Sequence, residues 1–351
     1  EKSENKSCRS NQKQTVYRIL SNCERYFIET LMKITILGTG LTKFGELWSK
    51  SFYDLALEAA TDAINDASLK PKDIDAVFVA NMLFGKVDNQ DHLGPIITSL
   101  LNISASATRI EGACASGGLA VHSAIQSIGS GFYKNVLVVG VEKMTDIETR
   151  KISSYLMGAG NEEERRAGLT FPGLYALIAR AHMQEFGTTR EHMAKVAVKN
   201  HYHASLNDKA QFPYEVSLEK VMASPLISNP FTLFDASPIT DGAAAIVLSS
   251  KVLKDKVSIT ASSVVTDTIG LADRKNLTEL AATKKAAMMA YKQASVMPKD
   301  IDVAEIHDCF TIAEILAMED LGFCKKGDGG EFIASGYTTL GNKLPVNTSG
   351  G

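Results

Sequence analysis

Short apolar runs alternate along this chain with longer segments whose apolar positions recur every three or four residues. Residues 32–40 open the pattern as a strand, Met32-Lys33-Ile34-Thr35-Ile36-Leu37-Gly38-Thr39-Gly40. Residues 51–67 follow as an amphipathic helix, with Leu55, Ala59, Ala63 and Ala67 on one face. Pro71-Lys72-Asp73-Ile74-Asp75 breaks the helix, and residues 76–80 read as a buried strand. Residues 95–101 form a short helix with its proline in the first turn. A helix at 115–130 and a core strand at 135–141 come next. Strands alternating with helices predict a mainly parallel sheet covered on both faces.

The rhythm changes over residues 144–235. Gly158, Gly160, Pro172-Gly173, Pro213, Pro225 and Pro230 interrupt helical pieces at 174–186 and 190–206. This stretch reads as a domain inserted in a loop of the sheet. The sheet resumes at 242–248, followed by a strand at 257–266 and a helix at 278–294.

An internal repeat then appears. Pro298-Lys299-Asp300-Ile301-Asp302 repeats Pro71-Lys72-Asp73-Ile74-Asp75 at an offset of 227 (298 − 71). In the same register Ala59, Ala60, Ala63, Ala67 and Ser68 fall on Ala286, Ala287, Ala290, Ala294 and Ser295. A strand follows each turn, at 76–80 and at 303–306. Helix, turn and strand all matching predict two similar α/β halves. They are 32–143 with 236–255, and 256–351, around an inserted loop domain at 144–235. The second half lacks counterparts of the 115–130 helix and of two strands before Gly351, which would leave apolar faces uncovered.

Residues 1–31 are polar, with Lys and Arg and no apolar stretch of signal-peptide length. They read as an extension ahead of Met32. An organellar leader is opposed by their few arginines and their Glu residues. A formal net charge of −3 gives no basic footprint for nucleic acid. No apolar run is long enough to span a membrane. Five widely spaced cysteines, with no CxxC pair, indicate neither a zinc site nor a disulfide framework, so a cytoplasmic setting is expected. Gly38, Gly40 and Gly45 fail the GxGxxG spacing of a dinucleotide loop and read as a strand-to-loop turn.

Candidate chemistry lies at two strand ends. Arg109-Ile110-Glu111-Gly112-Ala113-Cys114-Ala115-Ser116-Gly117-Gly118 places a cysteine at a strand-to-helix turn among small residues. A helix N-terminus there would favour the thiolate. On this stretch alone a structural cysteine fits equally well. Glu305-Ile306-His307-Asp308-Cys309-Phe310 ends the repeated strand, the edge at which sheets of this kind bind ligands. Cys114, Cys309 and His307 at equivalent ends of duplicated halves would supply a nucleophile, a proton carrier and a hydrogen-bond donor for acyl transfer. His122 reads as packing, and His201 and His203 as a polar helix end without metal-ligand spacing. Cys324, followed by Lys325-Lys326, reads as a surface thiol.

The Cys114 turn resembles the thiolase superfamily. So do Val139-Gly140-Val141-Glu142-Lys143-Met144, Phe171-Pro172-Gly173-Leu174-Tyr175-Ala176, Asp241-Gly242-Ala243-Ala244 and Pro345-Val346-Asn347-Thr348-Ser349-Gly350-Gly351. His307-Asp308-Cys309-Phe310 is similar to the sterol-carrier-protein type, and the whole from Met32 onward to the archaeal acetyl-CoA acetyltransferases. The resemblance implies a duplicated, layered α/β/α/β/α fold. It also implies condensation of two acetyl-CoA to acetoacetyl-CoA, or the reverse, for the mevalonate pathway. Coenzyme A thioesters would be substrates, with no resident cofactor or metal.

By the resemblance Cys114 would be acylated, His307 would help form the oxyanion hole, and Cys309 would remove the α-proton of the second acetyl-CoA. Phe171, Pro172, Gly173 and Leu174 in the insert, with Ser349 and Gly350, would contact substrate. Lys199 reads as a solvated helix charge rather than a phosphate contact. A homodimer or homotetramer is implied, as is assembly with hydroxymethylglutaryl-CoA synthase through a small OB-fold bridging protein. The family's Gly-His-Pro motif, whose histidine activates the nucleophile, is absent from the sequence up to Gly351, so the chain as given is expected to have little activity. A ketoacyl-synthase-like condensing enzyme would need a histidine where Cys309 stands. A non-catalytic acyl-CoA-binding or scaffold subunit is the remaining alternative.

Overall fold

The computed structural model describes residues 34–351, so the extension at 1–31 lies outside the described residues. The first half comprises β1 (Ile34–Leu41), α1 (Phe52–Asp66), β2 (Ala76–Ala80), α2 (Leu93–Leu100), β3 (Ser106–Ile110), α3 (Ser116–Gly129) and β4 (Asn135–Glu142). The excursion that follows carries α4 (Phe171–Phe186) and α5 (Arg190–Ser205), after which β5 (Gly242–Ser249) re-enters the sheet. Beyond it come β6 (Ser258–Ile259), α6 (Ala281–Ala294) and α7 (Thr311–Asp320).

The six strands lie in the order β3-β2-β4-β5-β1-β6. β2 runs parallel to β3 and β4, but β5 is antiparallel to both β4 and β1, and β6 is antiparallel to β1. The sheet is therefore mixed, not mainly parallel as the strand–helix alternation predicts. β5 returns from a long excursion instead of a helical crossover, so nothing forces it into the parallel sense. Its sequence Gly-Ala-Ala-Ala-Ile-Val-Leu-Ser is small and apolar because both faces are covered. On one face α1 packs Leu55, Ala59 and Ala63 against Leu37, Val79, Val139 and Ala245. On the other, α3 packs Ala120, Ala124 and Ile125 against Ile34, Val136 and Leu248.

Local chemistry sets the ends of α1. Ser51 Oγ accepts from Asp54 N at 3.2 Å while the Asp54 carboxylate accepts from Ser51 N at 2.8 Å, a reciprocal cap. Gly38 and Gly40 explain themselves against the same helix. A Cβ on Gly38 would lie 2.3 Å from Ala63 O, and one on Gly40 would lie 2.0 Å from Ala59 O. They mark a close helix–strand approach inside β1, not the strand-to-loop turn expected.

The repeat is visible in geometry. Ser68 and Ser295 both adopt left-handed φ, at 55° and 57°. Each precedes a one-turn 3₁₀ helix, Pro71–Asp73 or Pro298–Asp300, whose aspartate accepts the N–H of Lys70 or Met297 at 2.8 Å. The halves then diverge. β2 pairs along its full length on both sides, whereas the strand expected at 303–306 makes a single bridge, Ala304 to Val346. Of the strand expected at 257–266, only Ser258–Ile259 is paired. A strand is held by its neighbours' backbone groups, and these segments lack such neighbours among the described residues. On α6 only Ala287 is buried, while Met288 is 67% exposed.

All ten residues of α7 are buried, including Glu314, Glu319 and Asp320. Its apolar side chains meet Ala176, Ile178 and Ala179 of α4 and Met193 and Val196 of α5. Each carboxylate has a partner. Lys199 Nζ lies 2.6 Å from Glu314, His182 Nε2 lies 3.1 Å from Glu319, and Asp320 accepts from Leu280 N at 2.7 Å.

Two glycine substitutions separate close packing from open space. Gly40→Ala should destabilise the fold by about 3 kcal/mol or more, because its Cβ meets helix backbone. Gly117→Ala in α3, where a Cβ meets nothing within 4 Å, should leave stability unchanged or raised by up to about 1 kcal/mol. Urea unfolding of the two variants checks both signs.

Candidate active site

β3 delivers the chain to a tight elbow. Ala113 sits at φ 50°, a left-handed conformation costing a non-glycine residue about 1 kcal/mol or more. Three hydrogen bonds hold it. Ser116 Oγ accepts from Gly112 N at 2.9 Å and donates to Ala113 O at 2.6 Å, and Glu111 Oε1 accepts from Ala113 N at 2.7 Å. The result is an exposed Cys114, with open space over Gly117 and Gly118.

The thiol is not the pre-formed thiolate that the helix terminus predicts. Desolvation raises its pKa, the Glu142 carboxylate adds to the rise, and only its own backbone N–H opposes them. α3 begins two residues past the sulfur, at Ser116, so its free N–H groups do not outweigh these terms.

The other strand end is assembled from the second half and the insert. Ala304 N donates to Pro345 O at 3.0 Å, Ile306 N to Asn347 Oδ1 at 2.8 Å, and Ser237 N to Cys309 O at 3.0 Å. Phe310 is stacked between Tyr175 of α4, centroids 4.6 Å apart, and Phe231 at 5.5 Å. That stack sets Tyr175 near Cys309, and its hydroxyl acts on the thiol's pKa. Burial pushes Cys309 up to about 12, the Tyr175 hydroxyl opposes the rise, and an ionised Cys114 nearby would add to it. Burial also pushes the Tyr175 phenol up, with both thiols contributing. Cys114 and Cys309 both lie near enough to Tyr175 for a charge on either to act on its phenol. His307 is exposed, and desolvation by the surrounding wall lowers its pKa, which keeps the imidazole neutral at pH 7.

A buried polar network fixes this strand end. Asn200 Nδ2 donates to Asp308 at 2.6 Å and to Glu314 at 3.0 Å. Asn347 Nδ2 donates to Glu314 at 3.3 Å. His203, fully buried, bridges Asn347 O through Nδ1 at 2.9 Å and accepts from Leu340 N through Nε2 at 2.9 Å. Burial and Glu314 push Asp308 up to about 7. Lys199 is not the solvated helix charge expected: it is 6% exposed and also donates to Val346 O at 2.9 Å. His203 is likewise not a polar helix end. Cys324 is half-buried and pushed up to about 12 by burial, so the neighbouring lysines do not activate it. His122 is held by Ser262 and Gln126.

Two adjoining recesses lie against the elbow. The larger, about 550 Å³, runs past Gly112 and Ala113 and is edged by Lys86 and Arg109. The smaller, about 180 Å³, is walled by Phe171, Leu174, Tyr175 and Ile178, and the two share Ala159 and Ile269. Of the residues expected to contact substrate, Phe171 and Leu174 line the smaller recess. Pro172 and Gly173 instead form the first turn of α4, capped by Thr170. Ser349 and Gly350 line neither recess. Ser349 bonds to Glu305, and Gly350 packs on Ala204. Sequence reasoning assigned no role to Asn200, Glu314 or Asn347, and placed Tyr175 only within residues 171–176, the stretch expected to contact the CoA pantetheine. The one available signal was Glu314, a carboxylate in the otherwise apolar run Thr311-Ile312-Ala313-Glu314-Ile315-Leu316. No cluster of His, Cys, Asp and Glu suited to a metal ion, and no helix long and apolar enough to cross a membrane, occurs among the described residues.

Comparison with known proteins matches residues 34–224 to the thiolase N-terminal domain and 263–351 to the thiolase C-terminal domain-like family. The acetyl-CoA acetyltransferase of Methanothermobacter thermautotrophicus is 44% identical over 91% of this chain and 84% of its own length. That of Methanocaldococcus jannaschii is 43% identical over 91% and 83%. Sterol carrier protein 2 of Homo sapiens is 33% identical over 92% of this chain and 62% of its own. Among solved structures, the Ltp2-ChsH2(DUF35) aldolase superposes with a TM-score of 0.76 at 26% identity, covering 92% of this chain and 85% of that one. The acetyl-CoA acetyltransferase from Syntrophomonas wolfei shares the fold, with a TM-score of 0.61 at 22% identity over 90% and 89% of the two chains.

Two measurements follow from the charge states. In peptide-mapped alkylation at pH 9, Cys309 should react at least about tenfold more slowly than Cys114, because the thiolate is the reactive form. Tyr175→Phe should slow Cys309 further. For Asp308 the folded pKa is raised, so its stabilising protonation is complete below the unfolded value near 3.8 and is lost as pH rises through 7. Wild type should lose roughly 2 kcal/mol relative to Asp308→Asn between pH 5 and pH 8 in urea unfolding, at about 1.4 kcal/mol per pKa unit.

Proposed function

Because the chain belongs to the thiolase family, we propose that this enzyme transfers acetyl groups between coenzyme A thioesters through an acyl–Cys114 intermediate. The favoured net reaction is the condensation of two acetyl-CoA to acetoacetyl-CoA and CoA, or its reverse. What supports the reading is the nearness of two thiols from the two halves, Cys114 exposed and Cys309 half-buried, to Tyr175 in the wall of an apolar recess. The two archaeal acetyl-CoA acetyltransferases support the choice of acetyl group. They also weigh against a non-catalytic scaffold.

In the first half-reaction Cys114 Sγ attacks the thioester carbon. The new S–C bond forms, the CoA S–C bond breaks, and the Cys114 proton leaves with CoA as its thiol. The exposed, neutral imidazole of His307 retains one N–H to donate to the developing oxyanion. In the second, Cys309 Sγ accepts the α-proton of another acetyl-CoA while its own thiol proton passes to the departing Cys114 sulfur, so Cys309 is a thiol before and after. The carbanion takes the acyl group, forming the C–C bond as the Cys114 S–C bond breaks. The sulfur of a high-pKa thiol is the stronger proton acceptor, and the α-carbon of a thioester is a weak acid, so the apolar setting of Cys309 suits this task.

Acetoacetyl-CoA made here would feed the mevalonate pathway. Condensation would be drawn forward by assembly with hydroxymethylglutaryl-CoA synthase through a small OB-fold protein. The solved Ltp2-ChsH2(DUF35) aldolase supports a partnered arrangement. A homodimer or homotetramer in the cytoplasm completes the reading.

Intact mass after mixing with acetyl-CoA tests the covalent step. A slow gain of one acetyl group, absent in Cys114→Ala and retained in Cys309→Ala, is expected, because the Cys114 pKa is raised and no side-chain base is bonded to it among the described residues. A folded wild-type chain that gains no acetyl group would contradict it.

A further inference from the structure

The smaller recess is larger than an acetyl group requires. Its volume of about 180 Å³ exceeds the ~150 Å³ in which an apolar cavity takes up benzene. An acetyl group has two carbons and would leave most of it unfilled. Phe171, Leu174, Ile178, Leu271 and Leu280 make the walls apolar, which suits an alkyl chain. Tyr175 connects the recess to Cys309, and the shared residues Ala159 and Ile269 connect it to the Cys114 elbow.

One wall is not apolar. Arg274 lines the recess, and its Nη1 is buried with no hydrogen-bond partner among the described residues. An arginine keeps its charge, and burying a donor of that charge without an acceptor is costly. The charge acts inside the site, since Arg274 lowers the pKa of the Tyr175 phenol against the other terms there. The lining holds one carboxylate, Glu164. Its carboxylate accepts the Leu271 N–H at 2.5 Å. Apolar walls with an unmatched cation at one side describe a chain-binding slot that ends in an anion.

We propose that this recess is an acyl subsite for coenzyme A thioesters whose acyl chain ends in a carboxylate, with Arg274 as the specificity-determining residue. The inference rests on the thiolase reading and extends its substrate class beyond acetyl. Glutaryl-CoA and pentanoyl-CoA have equal chain length and differ in the terminal carboxylate, so they isolate the role of Arg274.

Equilibrium binding of both thioesters is measured on Cys114→Ala protein, which cannot be acylated at that residue. Glutaryl-CoA should bind at least about tenfold more tightly than pentanoyl-CoA. The preference should vanish in Arg274→Met and return in part in Arg274→Lys, with all variants checked for wild-type unfolding midpoints. Equal or tighter binding of pentanoyl-CoA, or a preference that survives Arg274→Met, would overturn the proposal. Acetylation of Cys114 by acetyl-CoA reads the thiolase assignment separately. An acylated protein without the carboxylate preference keeps the function and loses the subsite. The preference in a protein that is never acylated keeps the subsite and loses the covalent mechanism.

Discussion

Glu314 has no exposed surface, yet it sits in the middle of a helix buried along its whole length. The way this carboxylate is neutralised holds the second strand end in place. Lys199 reaches it from α5 at 2.6 Å, and Asn200 and Asn347 donate to it from two further directions. Those partners also hold the strand end: Asn200 ties the Asp308 carboxylate, Asn347 accepts from Ile306 N, and Lys199 caps Val346 O. Stripping one partner from a buried ion pair costs about 3–5 kcal/mol, because the charge left behind cannot reach water. The network thus links the stability of α7 to the placement of His307 and Cys309.

The first half solves the opposite problem. Cys114 must be reachable, so its elbow is built from backbone strain at Ala113 and from Ser116 hydrogen bonds in place of a packed side chain. Neither thiol is ionised by its surroundings. Desolvation raises both, and an ionised Cys114 would raise Cys309 further. Tyr175, stacked on Phe310, joins the insert to this pair.

Much of the fold was legible because it rests on local signals. Ser51 with Asp54, the Pro-Lys-Asp turns and the alanine-rich face of α1 state their roles in the chain itself. The duplication was readable from the same residues, since a shared register of helix, turn and strand needs no partner to be seen. The sense of β5 was not, because strand direction depends on where a chain re-enters a sheet and not on its composition. The strands at 257–266 and 303–306 were overcalled for a related reason. Their sequences favour extension, but pairing depends on neighbours that the described residues do not supply.

At the site, small residues around Cys114 and the His-Asp-Cys run marked the candidate positions. Lys199 and His203 misled because charge on a helix reads as exposure, and only tertiary packing shows that Glu314 and Asn347 meet them inside. Arg274 carried no local signal, since it faces its recess across residues distant in sequence.

A dithiol-bridging alkylating reagent tests directly whether Cys114 and Cys309 share one site. Digestion and mass spectrometry should recover the peptides of Cys114 and Cys309 joined by one reagent molecule within a single chain. Separate, singly modified peptides with no intramolecular bridge would contradict the convergence of the two halves on which the account stands.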